Sequence, residues 1–287
     1  MSTPARIGPV RIDAHHHLWT VGRHDTSWLD SPALTPIRRD YGPADLRAAV
    51  GDRVAQTVLV QTIGSVAETV DFLAIAADSE LIAGVVGWVD LTATNVADAV
   101  AELRAQPGGD KLVGIRHGVQ SEPDPDWLAR ADVQRGLAAL AGTGLVYDLL
   151  TLPPQLPAAL RAVVDVPELT FVLDHLSKPP IAAGDREPWE TRIRALAARE
   201  NVVCKLSGMV TEADWTQWTV QDLRPYADVV LDAFGPDRVM FGSDWPVCTL
   251  AASYAQVLDA AAELTEGLTA VERDAIFAGT ARRVYGL

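Results

Sequence analysis

Short apolar runs rich in β-branched residues alternate with segments of helical periodicity along the whole chain, and this order dictates a fold class. Strands are predicted at Val10 to Asp13, Thr57 to Val60, Gly84 to Val89, Leu112 to Ile115, Leu145 to Asp148, Thr170 to Leu173, Val202 to Leu206 and Arg238 to Phe241. Helix grammar fills the intervals. Pro43 sits in the first turn of PADLRAAV with Gly51 just after it, and Ser65 and Glu68 have capping-box spacing for a helix running to about Ser79. Further helices are signalled by ADAVAELRA, PDWLARADVQRGLAALAG, PPQLPAALRAVV, EPWETRIRALAARE, PYADVVLDAFG and SYAQVLDAAAEL, and a last one starts at the box Thr269 and Glu272. Eight strands alternating with helices, mostly about 25 to 36 residues apart, predict an α/β fold, a closed (β/α)8 barrel of the TIM kind. An open doubly wound sheet shares these periodicities and differs only in closure, which periodicity does not report. No repeat, low-complexity tract or linker divides residues 1–287, so one domain is expected.

One interval breaks the rhythm. LWTVGRHDTSWLDSPALTPIRRDYG, residues 18–42, shows no convincing element, and long irregular segments in compact domains tend to be functional loops. In a barrel it is expected to lie over the mouth at the C-terminal strand ends. His24 within it is expected to face solvent.

Composition narrows the partners. With 38 acidic and 24 basic residues the net charge is −14, which argues against nucleic acid or an anionic membrane surface, both of which reward a basic face. Cys204 and Cys248 are too few for a disulfide framework and read as reduced thiols. Neither a leader-like apolar run nor a stretch long enough to span a membrane is present, so a cytoplasmic protein is expected, with a homo-oligomer compatible with the sequence.

Polar residues at the ends of barrel strands face one mouth, so they belong together. Strand 1 ends in His15 and His17, strand 4 in Arg116 and His117, strand 5 in Asp148, strand 6 in His175 and Lys178, strand 7 in Lys205 and Ser207, and strand 8 in Asp244. The two-residue period of a strand points His15 and His17 the same way and His16 elsewhere. A lone His-x-His is often an ordinary polar strand end. His175 after one apolar strand and Asp244 after another add the chemistry of a three-histidine, one-carboxylate site for a metal ion or proton transfer. Asp244 also has a bland reading as a cap on the turn after strand 8, and Lys205 and Asp148 as a buried ion pair.

IDAHHHLW, GIRH, YDLL, VLDHLSKP, CKLSGMVTEADW, FGSDWPVC and IFAGTARRVYG, in this order over nearly the whole chain, resemble the amidohydrolase superfamily in its sugar-lactonase branch related to L-fuconolactonase and L-rhamnonolactonase. The resemblance implies a distorted (β/α)8 barrel whose site uses His15, His17, His175 and Asp244, either as ligands of one divalent ion, zinc foremost, or without metal. It places Arg116 and His117 where two-metal members carry a bridging lysine or glutamate, and Asp148 where they carry a histidine, which implies at most one ion. The implied activity is hydrolysis of a sugar-derived lactone to its aldonic acid. Asp244 then serves as base and the three histidines stabilise the oxyanion. Arg116, His117, Trp19 and Lys178 are expected to bind the sugar, with Trp28 and Trp245 as further flat faces. A dicarboxylate lactonase and a metal-dependent decarboxylase share the frame and stay open here, as does a sugar-binding barrel without chemistry.

Overall fold

The structure, a computed structural model, describes residues 11–287. Eight parallel strands form one sheet in sequential order: β1 Ile12–His16, β2 Gln56–Val60, β3 Ile82–Gly87, β4 Leu112–His117, β5 Val146–Leu149, β6 Phe171–Leu173, β7 Val202–Leu206 and β8 Val239–Phe241. Each matches a predicted strand to within a few residues, and Val10 lies outside the described residues. Between them run α1 Pro43–Val50, α2 Val66–Ala77, α3 Val96–Arg104, α4 Ala131–Ala141, α5 Leu156–Asp165, α6 Trp189–Ala197, α7 Met209–Glu212 and α8 Val220–Phe234, followed after β8 by α9 Tyr254–Leu264, α10 Ala270–Asp274 and α11 Thr280–Tyr285. No helix among the described residues is long and apolar enough to cross a membrane.

The two faces of each strand serve two cores. Val58, Val60, Val146, Val172, Val203 and Met240 cluster inside the barrel, while their neighbours Leu59, Tyr147, Phe171, Leu173, Val202, Cys204, Val239 and Phe241 pack outward against the helices. Ala278, Ala281 and Tyr285 join the inner cluster. The turn of π-helix Ala275–Gly279 and α11 thus plug the end at which the strands begin, with Leu287 against the positions of Gly84 and Val113.

β1 does not alternate strictly. Asp13 pairs with Thr57 but His16 with Leu59, so β1 carries one residue more than β2 across the same interval. This bulge lets Ile12 and Ala14 face inward and then re-aims the strand. His16 shares the outward face of its partner Leu59, leaving His15 and His17 on the lumen side. Strict alternation from Ile12 predicts the opposite.

The barrel closes between β1 and β8 through polar groups. Asp13 accepts from the Ser243 amide at 2.8 Å and the Ser243 hydroxyl at 2.6 Å, the Asp244 amide donates to the His15 carbonyl at 2.8 Å, and the His17 amide to the Trp245 carbonyl at 2.7 Å. Gly242 is needed here, because a Cβ would come 2.7 Å from His15 Cβ.

Several local expectations change. Residues 18–42 are not irregular: they hold two 3-10 helices, Ser27–Asp30 and Pro32–Ile37, and are pinned by a Trp19 to Tyr41 bridge. Ser65 does cap α2 by accepting from the Glu68 amide at 3.2 Å, but the Glu68 carboxylate turns to the amides of Thr62 at 2.9 Å and Ile63 at 3.2 Å instead of completing the box. His24 is not free in solvent. It meets Asp71 of α2 at 2.7 Å, beside the Arg23 to Asp71 pair, and so ties the segment to the barrel's helical layer. Cys204 and Cys248 are buried, unpaired thiols.

Candidate active site

A cavity of about 580 Å³ opens at the C-terminal strand ends, with His17, His175, Asp244 and Arg116 among its lining groups. The 18–42 segment contributes Asp25, Ser27, Trp28 and Leu34 to its wall.

The three imidazoles converge through Nε2. His15 Nε2 stands 3.1 Å from His17 Nε2 and 3.8 Å from Asp244 Oδ1, which lies 3.4 Å from His17 Nε2 and 3.8 Å from His175 Nε2. Every Nδ1 is held from behind: His17 by the Val60 carbonyl at 2.7 Å, His175 by the Ser207 hydroxyl at 2.8 Å, and His15 by Lys205 at 3.0 Å and Asp174 at 3.4 Å. Such outer contacts fix ring orientation and turn the three Nε2 atoms toward Asp244. Burial first, and then the Lys205 charge, hold His15 well below the usual histidine range, and burial lowers His175 to about 4, so both are neutral at physiological pH.

Asp244 reaches this point from a left-handed backbone, φ 57°, a conformation unusual for a residue with a Cβ. Its side chain caps nothing; the 3-10 turn Val247–Leu250 has no side-chain cap, which removes the capping reading. Burial pushes the carboxyl up, but interaction with His175, the His17 contact and Lys178 outweigh it and leave the group below its ordinary value.

β6 ends in a stranger turn. His175, Leu176, Ser177 and Lys178 all have positive φ, between 49° and 57°. Each such residue costs about 1–2 kcal/mol, so other contacts must hold the turn. Trp189 donates to the Leu176 carbonyl at 2.7 Å, Ser177 meets the Thr151 hydroxyl at 2.8 Å, and the Lys178 amide donates to the His175 carbonyl at 2.7 Å. Gly208, at φ 64°, leaves room for His175; a Cβ there would stand 2.6 Å from its Nδ1.

Beneath the histidines lies a buried charge network. Lys205 Nζ is 2.6 Å from Asp148 and 3.0 Å from Asp174, Arg116 is 3.0 Å from Asp174, and the Tyr285 hydroxyl donates to Asp148 at 2.9 Å. Burial drives Asp174 up, yet Lys205, His15 and Arg116 together hold it well below the carboxylate range, while burial raises Asp148 to about 6. The expected Lys205 and Asp148 pair is therefore present, extended by Asp174 and Tyr285.

Of the residues expected to bind a sugar, Arg116 and Lys178 line the cavity, Arg116 with its guanidinium already committed to Asp174 and the Gln61 carbonyl. His117 also lines it, but both ring nitrogens are taken, by the Trp88 indole at 3.0 Å and Glu122 at 2.8 Å, so it has no free donor for a substrate. Trp19 is a correction: it packs edge-on to Trp28 and Tyr41, donates to the Arg39 carbonyl at 2.8 Å and does not border the cavity. Trp245 likewise packs on Tyr41. The flat faces at the cavity are Trp28 and Trp215. Sequence reading missed Asp174, Glu212 and Trp215. Asp174 precedes His175 and ends a wholly apolar strand, a signal that was available; nothing in the spacing marks the other two.

His15, His175 and Asp244 each offer an atom within 4.8 Å of one another, the one such group found among the described residues. These three donors fit one divalent ion, whereas His17, 3.1 Å from His15 and 3.4 Å from Asp244, is not part of that group. A second ion has no ligands here: Asp148 is spent on Lys205 and Tyr285, and Arg116 is a cation.

A parallel barrel that gathers imidazoles from the ends of β1 and β6 around a carboxylate from the end of β8 defines an amidohydrolase-type hydrolase. The family model described as amidohydrolase matches residues 12–287, and the chain belongs to that family. It is 42% identical to L-fucono-1,5-lactonase of Burkholderia multivorans, over 98% of this chain and 97% of that one. L-rhamnono-gamma-lactonase of Scheffersomyces stipitis is 27% identical, over 48% of this chain and 47% of that one. A crystal structure of an amidohydrolase from Burkholderia multivorans with bound zinc superposes with a TM-score of 0.91 at 40% identity, covering 97% of this chain and 99% of that one.

Proposed function

We propose that this amidohydrolase hydrolyses sugar lactones, opening a 1,5-lactone of the L-fuconate kind to its aldonic acid. One observation carries the reading: an ionised carboxylate, Asp244, meets the Nε2 atoms of His17 and His175 in the lining of a cavity large enough for a sugar ring, with His15 Nε2 buried just behind them. The full-length likeness to L-fucono-1,5-lactonase supports the choice of lactone.

The ring carbonyl lies against the imidazoles with its carbon toward a water held by Asp244. Asp244 turns Oδ1 to the histidines and keeps Oδ2 for a proton. As the water oxygen bonds to the carbonyl carbon, Asp244 takes the water's proton, and the negative charge that develops on the carbonyl oxygen is stabilised among His15, His17, His175 and Arg116. The bond from that carbon to the ring oxygen then breaks, and Asp244 returns its proton to the departing alkoxide. A divalent ion, zinc by the same donor logic, would be held by His15, His175 and Asp244, with His17 beside them, and would supply polarisation of the carbonyl and a more acidic water. A pH-indicator assay of L-fucono-1,5-lactone, other aldonolactones and dicarboxylate lactones, on chelator-treated and zinc-loaded protein, tests the reading. Acid release above the spontaneous rate from the aldonolactones is expected. Carbon dioxide release, or acid from dicarboxylate lactones alone, overturns it.

A further inference from the structure

Lys178, in the turn after β6, and Glu212, at the end of α7, face each other over the cavity with Nζ to Oε1 at 3.8 Å. That distance is too long for a hydrogen bond, and among the described residues neither side chain has another polar partner within hydrogen-bonding distance. Each is only 25% exposed. Both charged ends open on the cavity, where a bound ring can bond to them in place of water.

The backbone is arranged for this pair. Lys178 closes the run of four left-handed residues, a costly conformation that carries its stem toward the cavity. On the other side, Trp215 donates to the Thr211 carbonyl at 2.8 Å, which sets its ring beside Glu212 on the same wall. A cation, an anion and a flat apolar face around one gap suit a hydroxylated ring: a hydroxyl both donates and accepts, and sugar C–H bonds pack on an indole.

The charges on the remaining walls decide what kind of ring. Asp25, Glu122, Glu212 and Asp244 place four carboxylates on the cavity against the cations Arg116 and Lys178. Arg116 is bound to Asp174, and Lys178 has the Glu212 carboxylate beside it, so a substrate carboxylate brought to Lys178 would be repelled by Glu212.

We propose that Lys178 and Glu212 are the specificity-determining pair of the site: one ring hydroxyl donates to Glu212 and accepts from Lys178, which selects a neutral polyhydroxylated lactone and rejects a dicarboxylate one. This rests on the lactonase reading for the word lactone, but the pair's affinity for a neutral polyol ring can be measured without turnover.

The test is calorimetric binding of a neutral aldonolactam, a ring that the enzyme does not open, to wild type, Glu212→Gln and Lys178→Met, with circular dichroism and melting curves to confirm folding. Each variant is expected to bind about 10- to 100-fold more weakly, the range for loss of a charge-assisted hydrogen bond, and a lactam lacking the bridging hydroxyl to bind all three proteins alike. On the hydrolysed lactone the variants are expected to raise KM by a similar factor with kcat changed less than about threefold. Glu212→Gln is expected to improve relative binding of a dicarboxylate ring. Equal lactam affinity in wild type and folded Glu212→Gln, or no lactam binding at all, overturns the proposal even if lactones are hydrolysed. Selective lactam binding without lactone turnover sinks the lactonase reading and leaves the pair's role standing.

Discussion

Lys205 grips His15 from behind: its Nζ lies 3.0 Å from His15 Nδ1 and 2.6 Å from Asp148, wholly buried. The buried ring behind the cavity's two histidines is therefore set by a cation inside the barrel. Lys205→Met leaves Asp148 with only the Tyr285 hydroxyl and Asp174 with only Arg116 and His15. Removing one partner of a buried pair costs about 3–5 kcal/mol, so a fall in melting temperature on the order of 10 °C is expected, with turnover lost as His15 loses its support. An unchanged melting curve would show that the network carries no such load.

Asp244→Asn keeps the shape and tolerates a left-handed backbone, since asparagine adopts it more readily than most residues. Melting temperature is expected to stay within a few degrees while kcat falls about 10²- to 10⁴-fold or more, the range for a lost general base. Asp148→Asn is expected to do the reverse, losing stability first, because it uncouples Lys205 and Tyr285. Near-normal turnover in Asp244→Asn would remove Asp244 as the base.

The two tryptophans of the 18–42 segment are expected to separate. Trp19→Ala empties a site that is 5% exposed and costs about 3–5 kcal/mol, read as a lower melting temperature. Trp28→Ala, at the cavity wall, is expected to raise KM for the lactone with a smaller stability loss. The opposite pattern would place the substrate against Trp19.

Gly208→Ala sets a methyl group 2.6 Å from His175 Nδ1, and a displaced imidazole is expected to cost more than tenfold in kcat. Gly144→Ala has the same left-handed penalty, φ 75°, but open space around it, so it is expected to lose about 1 kcal/mol of stability with kcat intact. Equal kcat in both variants would show that His175 does not depend on that clearance.

Asp13 gives a pH signature. Burial raises its pKa from 3.8 to about 6, against the three hydrogen bonds it accepts. Between these values the folded chain holds a proton that the unfolded chain has released, so this group's contribution to stability is greatest near pH 4 and falls as pH rises through 6, by on the order of 3 kcal/mol. The stability difference between wild type and Asp13→Asn is expected to shrink over that interval. A difference independent of pH would rule out the raised value.

The barrel and the four converging residues were legible because strand period, helix caps and strand-end polarity are local properties. What escaped the sequence was non-local or depended on backbone irregularity. The β1 bulge reverses the alternation that Ile12 starts, and the inward pointing of His15 and His17 survives only because the bulge falls before them. His117 reads as a free donor until Trp88, distant in sequence, takes one nitrogen. Sequence reading prefers Trp19 to Trp28 as a sugar contact, and the order is reversed by how the segment folds on Tyr41. Glu212 gains its meaning from a left-handed turn on a different strand.

The bonds that join Asp13 to Ser243 and His15 to Asp244 span most of the chain, 230 residues apart in the first case. Chemistry therefore sits on the seam, where the first strand meets the last. During refolding, secondary structure and most neighbouring strand pairs form from shorter loops, whereas this closure requires the largest loop entropy. Turnover is then a clock for the completed ring: activity returns only when the seam shuts, later than far-ultraviolet dichroism, and a chain caught as an open sheet is helical, compact and silent.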